Sequence, residues 1–391
     1  MATTMDQAQE RRIAMLGASR LARLQGLEPF HSQSLAVGAT GGAQTVQIPK
    51  TINLNRPLES ITIQLKGRLA ISVGNYADPA PQSFSNLLQQ VTLSGTHRKH
   101  GSVTPIRMSG ATAFVWPRLF GFVGNDLIIN SARVTDAGRP FADEHVLTTA
   151  SSPLDFLVQW SIPMGPVFPP DPMTRRLAAQ FYLQPADWQD SLQLQLSIGD
   201  SSALGDPTGA TTAWTGFGSG AGAPTLSVFC NYAIWGELAN DIQSRVLVRN
   251  EQPLTGFAGA STAVRLALLQ HQTTTNIVVK TGIREATGQS AGIVTLESLS
   301  DVQLDRTQLS VDNKTVRNNS DNLASKGYYS RMFGTIQPQG YYLISFVEGQ
   351  SPLLAYPGRG LLGGAQLELI SDVIAANANN YQTVTQESIL D

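Results

Sequence analysis

The sequence predicts an all-β protein of two tandem eight-stranded jelly rolls preceded by a basic N-terminal amphipathic helix, and three observations point there. Short segments of alternating apolar and polar residues recur from Gln44 onward, without the strand–helix alternation of a parallel sheet. The order of several strands, a long helical excursion and then closing strands occurs twice. A Gly-rich stretch at 200–224, with no hydrophobic period, separates the two halves.

The first 28 residues form the helix. No proline falls between Asp6 and Leu27, and Ile13, Leu16, Leu24 and Leu27 lie on one stripe at helical spacing. Asp6 and Glu10 come early and Arg11, Arg12, Arg20 and Arg23 later, the charge order that a helix dipole favours. Pro29 is the expected stop. After Glu10 the helix carries four arginines and no acid. Such a helix can lie in a headgroup layer, arginines on phosphates and leucines at the acyl boundary. Its candidate membrane-facing residues are Arg11, Arg12, Ile13, Leu16, Arg20, Arg23, Leu24 and Leu27. Packing against a neighbouring subunit is the plainer alternative. Contact with packaged nucleic acid is a third, though four arginines make a small electrostatic footprint.

The first roll is expected over 29–199. Its strands are Thr45–Ile48, Ile61–Val73, Val91–Leu93, Phe156–Ile162 and Leu192–Ile198; the last is the cleanest period-2 segment, Leu and Ile on one face and Gln and Ser on the other. Ser109–Phe120 and Thr174–Phe181 read as short helices in long connections. The second roll is expected over 225–374, with strands Leu226–Trp235, Ser244–Arg249, Ala263–Leu269, Asn276–Thr281, Gly292–Glu297, Tyr341–Val347 and Gln366–Ile370. A helix is expected between Asn313 and Lys326. The Asn- and Gln-rich stretch 375–391 reads as a polar C-terminal tail.

Composition bounds the function. At 391 residues the chain exceeds one ordinary domain of roughly 100–200 residues. Charged residues make up 14%, against about 25% in a typical soluble domain. Depletion of charge is what the buried part of an interface shows, so much of the outside is expected to face copies of the same chain. A net charge of −2 gives no basis for sequence-specific or wholesale nucleic-acid binding. The single cysteine, Cys230, excludes a disulfide framework and a Cys-rich zinc site. No stretch approaches the roughly 18 apolar residues of a membrane span, and charges interrupt any signal-peptide core. Synthesis in a reducing cytoplasm is the expectation.

No catalytic, cofactor or metal residue is assigned, and enzymatic activity is not expected. Gly288-Gln289-Ser290-Ala291-Gly292 matches the G-x-S-x-G nucleophile elbow, but Ile293-Val294-Thr295-Leu296 after it reads as a strand, where that chemistry needs a helix. It reads as a hairpin turn. Gly216–Gly222 lacks the Lys-Ser/Thr ending of a phosphate loop. His97 and His100 flank Arg98 and Lys99, which would repel a cation; the four read as an exposed basic turn. His31, His145 and His271 are isolated, as are Trp160, Trp188, Trp214 and Trp235.

Several segments carry a family resemblance: Ile61–Val73, Asn86–Val91, the turn His97–His100, Ser109-Gly110 opening a helix, Lys326-Gly327-Tyr328-Tyr329, and Gly340–Val347. In their order and spacing the chain resembles the double jelly-roll major capsid proteins of membrane-containing, tectivirus-like bacteriophages. The resemblance implies a homotrimer whose six upright rolls make a pseudo-hexameric capsomer of an icosahedral shell. It also implies an internal membrane approached by the N-terminal helix, with minor capsid and vertex proteins as partners. A jelly-roll virion spike that binds glycans is the alternative, but it calls for an aromatic and acidic patch at one loop end that the sequence does not display. A tailed-phage coat with a long spine helix conflicts with the strand-rich middle.

Overall fold

A computed structural model of the chain describes residues 27–35, 44–48, 52, 57–71, 81–121, 126–129, 132–133, 154–166, 181–189, 192–199, 214–217, 223–232, 245–252, 255–257, 264–267, 273–283, 297–298, 304–311, 314–319, 321–335, 337–338, 340–346, 367–373 and 380–390. The strands of the first half are β1 (Leu27–Ser34), β2 (Gln44–Gln47), β3 (Leu58–Ile71), β4 (Leu88–His97), β5 (Gly101–Met108), β6 (Asp126–Ile129), β7 (Ala132–Arg133), β8 (Leu154–Pro163), β9 (Gln193–Ile198), β10 (Trp214–Phe217) and β11 (Thr225–Tyr232). Those of the second are β12 (Val246–Glu251), β13 (Thr255–Phe257), β14 (Val264–Ala267), β15 (Thr273–Ile283), β16 (Glu297–Ser298), β17 (Leu304–Val311), β18 (Lys314–Asn319), β19 (Tyr341–Ser345), β20 (Leu367–Val373) and β21 (Asn380–Leu390). Helices α1 (Gly110–Leu119) and α2 (Asn322–Phe333) lie between strands.

The fold is the expected all-β one. One sheet runs β1-β11-β3-β8-β6-β7, with β10 also on β3. Against it stand β5, β4, β9 and β2, and the two layers close on one apolar core. The strand period explains the layering. In β9, Leu194, Leu196 and Ile198 are buried while Gln193 and Gln195 are exposed; in β11, Leu226, Val228, Cys230 and Tyr232 point inward. Trp160 fills the middle, wholly buried, with its indole N–H donated to Gly110 O at 3.0 Å.

The second half holds β12, β21 and β15 side by side, with β13 on β21, β16 and β19 on β15, and a separate sheet β14-β20-β17-β18. Helix α2 ties these sheets together: Thr307 Oγ1 of β17 bonds Asn322 Oδ1 at 2.9 Å, and the Tyr329 hydroxyl accepts from Ser345 N of β19 at 3.0 Å. The halves are joined through the backbone. β12 pairs β5 in parallel, Arg249 opposite Ile106 and Asn250 opposite Arg107, so one ten-stranded sheet passes through both.

The structure corrects several sequence expectations. Thr225–Tyr232, expected to open the second roll, is paired between β1 and β3 of the first. Part of the Gly-rich linker, Trp214–Phe217, is a strand on β3. The expected polar tail is the strand β21, hydrogen-bonded to β12 on one side and β15 on the other. Its Thr, Gln, Glu and Ser side chains are buried rather than solvated. The helix expected over Asn313–Lys326 is instead strand β18 followed by α2, which Asp321 caps by accepting from Ala324 N at 3.0 Å and left-handed Gly334 ends. Leu27 and Glu28, expected to end the helix, open β1 opposite Asn231 and Cys230, and Pro29 sits in that strand at a register shift. There its missing N–H costs no regular ladder bond. The remainder of the expected N-terminal helix, nearly all of Thr174–Phe181 and most of Gly292–Glu297 lie outside the described residues. β5 and β17 had no counterpart in the sequence reading.

Candidate functional site: the junction between the sandwiches

The two sandwiches are held in one pose at a junction built around helix α1. Helix α1 is the plug. Nine of its ten residues are buried, so it is apolar all round, as a helix packed on every side must be. Its start is fixed by three contacts. Ser109 Oγ accepts from Thr112 N at 3.3 Å, Ser109 N donates to Glu251 Oε2 at 2.6 Å, and Ser109 Oγ donates to Glu251 Oε1 at 3.1 Å. Ser109 precedes α1 in the first half, and Glu251 ends β12 of the second. A carboxylate at a helix N-terminus meets unpaired N–H groups and the positive end of the dipole.

Along α1 the cores change hands. Ala113 and Phe114 belong to the apolar core of the first sandwich, whereas Val115, Trp116, Leu119 and Phe120 cluster with Val278, Tyr329, Tyr341 and Leu343 of the second. Phe120 meets Phe333 of α2 edge to face, centroids 5.4 Å apart, and Gln337 Nε2 donates to Leu119 O at 2.9 Å.

A buried ion pair lies under the plug. Arg249 Nε donates to Glu387 Oε2 at 2.8 Å, with both side chains 2% exposed. The other guanidinium nitrogens reach back to the first sandwich, to Pro163 O and to Gly165 O (2.7 Å for the latter), and the guanidinium faces the Trp116 ring. Glu387 Oε1 accepts from Thr275 Oγ1 at 2.9 Å and Asn276 Nδ2 at 2.6 Å. Two consecutive strand residues ordinarily point to opposite faces, but the register shift between Thr274 and Asn276 lets both reach one carboxylate. The pair is thus supplied with the extra hydrogen bonds that buried charges need.

Lys280 is different. Its ammonium is buried without a hydrogen-bond partner and lies 5.7 Å from the Tyr341 ring centre. Burial pushes its pKa down to about 8, opposed by the charge of Glu251. Burial first, and Glu251 second, hold the Tyr341 phenol well above the usual tyrosine range. Chemically this arrangement is a brace, in which charge and cap pair one sandwich with the other.

The sequence-predicted site residues fare variously. Arg11, Arg12, Ile13, Leu16, Arg20, Arg23 and Leu24 lie outside the described residues, and Leu27 is in β1. The G-x-S-x-G stretch also lies outside them. His97 and His100 are brought together, rings stacked at 4.8 Å, but His97 is 6% exposed, correcting the expectation of a fully exposed turn. Arg98 and Lys99 do face solvent. Among the described residues no cluster of His, Cys, Asp and Glu could hold a metal, and no helix is long and apolar enough to cross a membrane. Sequence reasoning found the helix of the junction but not the polar contacts around it. Glu251 fell in no expected element, Glu387 fell in the expected polar tail, and Arg249 was only the end of an expected strand.

These two sandwiches, sharing a sheet and an intervening helix, define the fold class: a double jelly roll. No family model and no curated protein matches the sequence. Among solved structures, the major capsid protein of STIV (Sulfolobus turreted icosahedral virus) superposes with a TM-score of 0.56 at 13% identity, covering 92% of this chain and 96% of that one. PBCV-1 VP54, fitted into a reconstruction of the virophage Sputnik, gives 0.52 at 13% identity over 93% and 92%. The Faustovirus major capsid protein gives 0.51 at 10% over 93% and 90%. The likeness spans both sandwiches end to end, and it is a likeness of fold.

Proposed function

We propose that this chain is the major capsid protein of an icosahedral virus and assembles as trimers whose six jelly rolls form a pseudo-hexameric tile. The observation that carries the reading is end-to-end superposition on capsid proteins of the same double architecture, where a single shared roll would imply far less. Two further features support it. The junction locks two rolls into one body, as a six-sided tile made from three chains requires. The charge-poor composition suits flanks that sister subunits cover. In this reading the segment ahead of β1 forms a basic helix that faces an internal membrane, its arginines on lipid phosphates. Minor capsid and vertex proteins are further partners, and the chain is made in the host cytoplasm before entering the virion.

Native mass measurement of the purified full chain tests the proposal. A trimer, three times 41.9 kDa, is expected. A stable monomer at micromolar concentration that never assembles overturns it, as does low copy number in purified virions, which would favour a glycan-binding spike.

A further inference from the structure

The β4–β5 hairpin ends in a three-residue turn, Arg98–His100, closed by left-handed Gly101 (φ 74°), the usual geometry when a glycine follows a tight turn between strands. What shapes this turn is a side chain. His97 Nδ1 accepts from Lys99 N at 3.2 Å and from His100 N at 3.3 Å. An imidazole nitrogen that accepts carries no proton, so the ring is the neutral tautomer protonated at Nε2.

The surroundings hold this ring from three sides. His100 stacks on it at 4.8 Å, Trp188 meets it edge to face at 5.3 Å, and the segment carrying Trp188 is bonded to the hairpin through Arg98 N to Asp187 O (2.7 Å) and Gln189 N to Thr96 O (2.8 Å). The charged groups acting on His97 are His100 and Lys99, which oppose its protonation, and Asp187, which favours it. Asp187 has one carboxylate oxygen, Oδ2, that is buried with no hydrogen-bond partner. A buried unpaired carboxylate oxygen is costly and calls for a donor.

From this geometry we infer that His97 is a two-position proton switch: neutral, it accepts from the turn amides and holds the hairpin tip closed; protonated, it turns to donate to Asp187 Oδ2 and releases the tip. Protonation at Nδ1 would set a third donor against two N–H donors, so the closed turn cannot survive it. Burial, His100 and Lys99 all hold the His97 pKa below the ordinary histidine value, so the closed state stands at neutral pH and is lost only as pH falls. Release would free the exposed cations Arg98 and Lys99 from a fixed pose. This inference does not depend on the shell role.

Hydrogen exchange of the 97–101 amides in the full chain tests it, at neutral and mildly acidic pH, corrected for the intrinsic pH dependence of exchange. Wild type should lose protection at Lys99 and His100 on acidification by about thirtyfold, the worth of two ordinary hydrogen bonds. His97→Asn places a non-titrating acceptor at the position of Nδ1 and should stay protected at both pH values. His100→Gln removes a like charge and should move the midpoint upward. Asp187→Asn removes the receiving carboxylate and should move it downward. Equal protection of wild type at both pH values overturns the inference. So does acid loss that persists in His97→Asn, or a midpoint that neither His100→Gln nor Asp187→Asn shifts.

Discussion

Arg249 and Glu387 face each other on neighbouring antiparallel strands, opposite in register and 2.8 Å apart, with the carboxylate held by the second sandwich and the guanidinium bonded to carbonyls at the end of β8 in the first. The pair is therefore a tie between sandwiches as much as an ion pair within one. Removing one member leaves the other charged and dry, which costs about 3–5 kcal/mol. Arg249→Met and Glu387→Gln should each destabilise on that scale in denaturant titrations. The double variant should lose far less than the sum of the two, and a double-mutant cycle measures the coupling.

Lys280 makes the chain gain stability in mild alkali. Its folded pKa of about 8 lies below the ordinary lysine value of 10.5, so between these the unfolded chain binds more protons and stability rises with pH. The whole shift corresponds to roughly 3 kcal/mol. Tyr341 works the other way above pH 10, because the unfolded chain then loses a phenolic proton that the folded chain keeps. Unfolding midpoints should climb from pH 8 toward 10 and then turn down. Lys280→Met should be more stable than wild type at neutral pH and show no such climb.

Two glycines in helices should respond oppositely to alanine. A Cβ on Gly110 would stand 2.0 Å from Leu88 O, a backbone atom that cannot step aside. Gly110→Ala should cost at least the ~3 kcal/mol upper end of core overpacking and lower the soluble yield. A Cβ on Gly327 meets nothing within 4 Å, on the exposed side of α2. Gly327→Ala should raise stability by about 0.5–1 kcal/mol in the same titration, through helix propensity alone.

The membrane role of the N-terminal segment is testable with anionic vesicles. Full-length protein should co-sediment with them and release as salt rises. The combined replacement of Arg11, Arg12, Arg20 and Arg23 by Gln should weaken binding by roughly 1 kcal/mol per arginine, while native mass measurement still finds the same oligomer. Unchanged binding would assign the segment to a protein neighbour instead.

Much of the first sandwich was legible because its strands are buried on one face only, and period-2 alternation survives in Gln193–Ile198 and Thr225–Tyr232. The helix at Ser109–Phe120 was legible as a short helix in a long connection, and Ser109 does cap it. β21 was not. It is covered on both faces, so Thr383, Thr385, Gln386, Glu387 and Ser388 are buried among partners from other strands, and its polar letters imitate a solvated tail. The sandwich boundary was misplaced for a related reason: Thr225–Tyr232 follows a Gly-rich stretch in sequence but pairs with β1 and β3 in space.

By itself, the amino-acid order determined an all-β chain in two successive sandwiches with a capped helix between strands, because strand alternation, turn residues and caps are written within a few neighbouring positions. Only the tertiary structure decided which strands share a sheet, where one sandwich ends, and which polar residues brace the junction. Those outcomes depend on pairings such as Arg249 with Glu387, separated by 138 positions, where the energy of removing a charge from water is set by whatever arrives beside it.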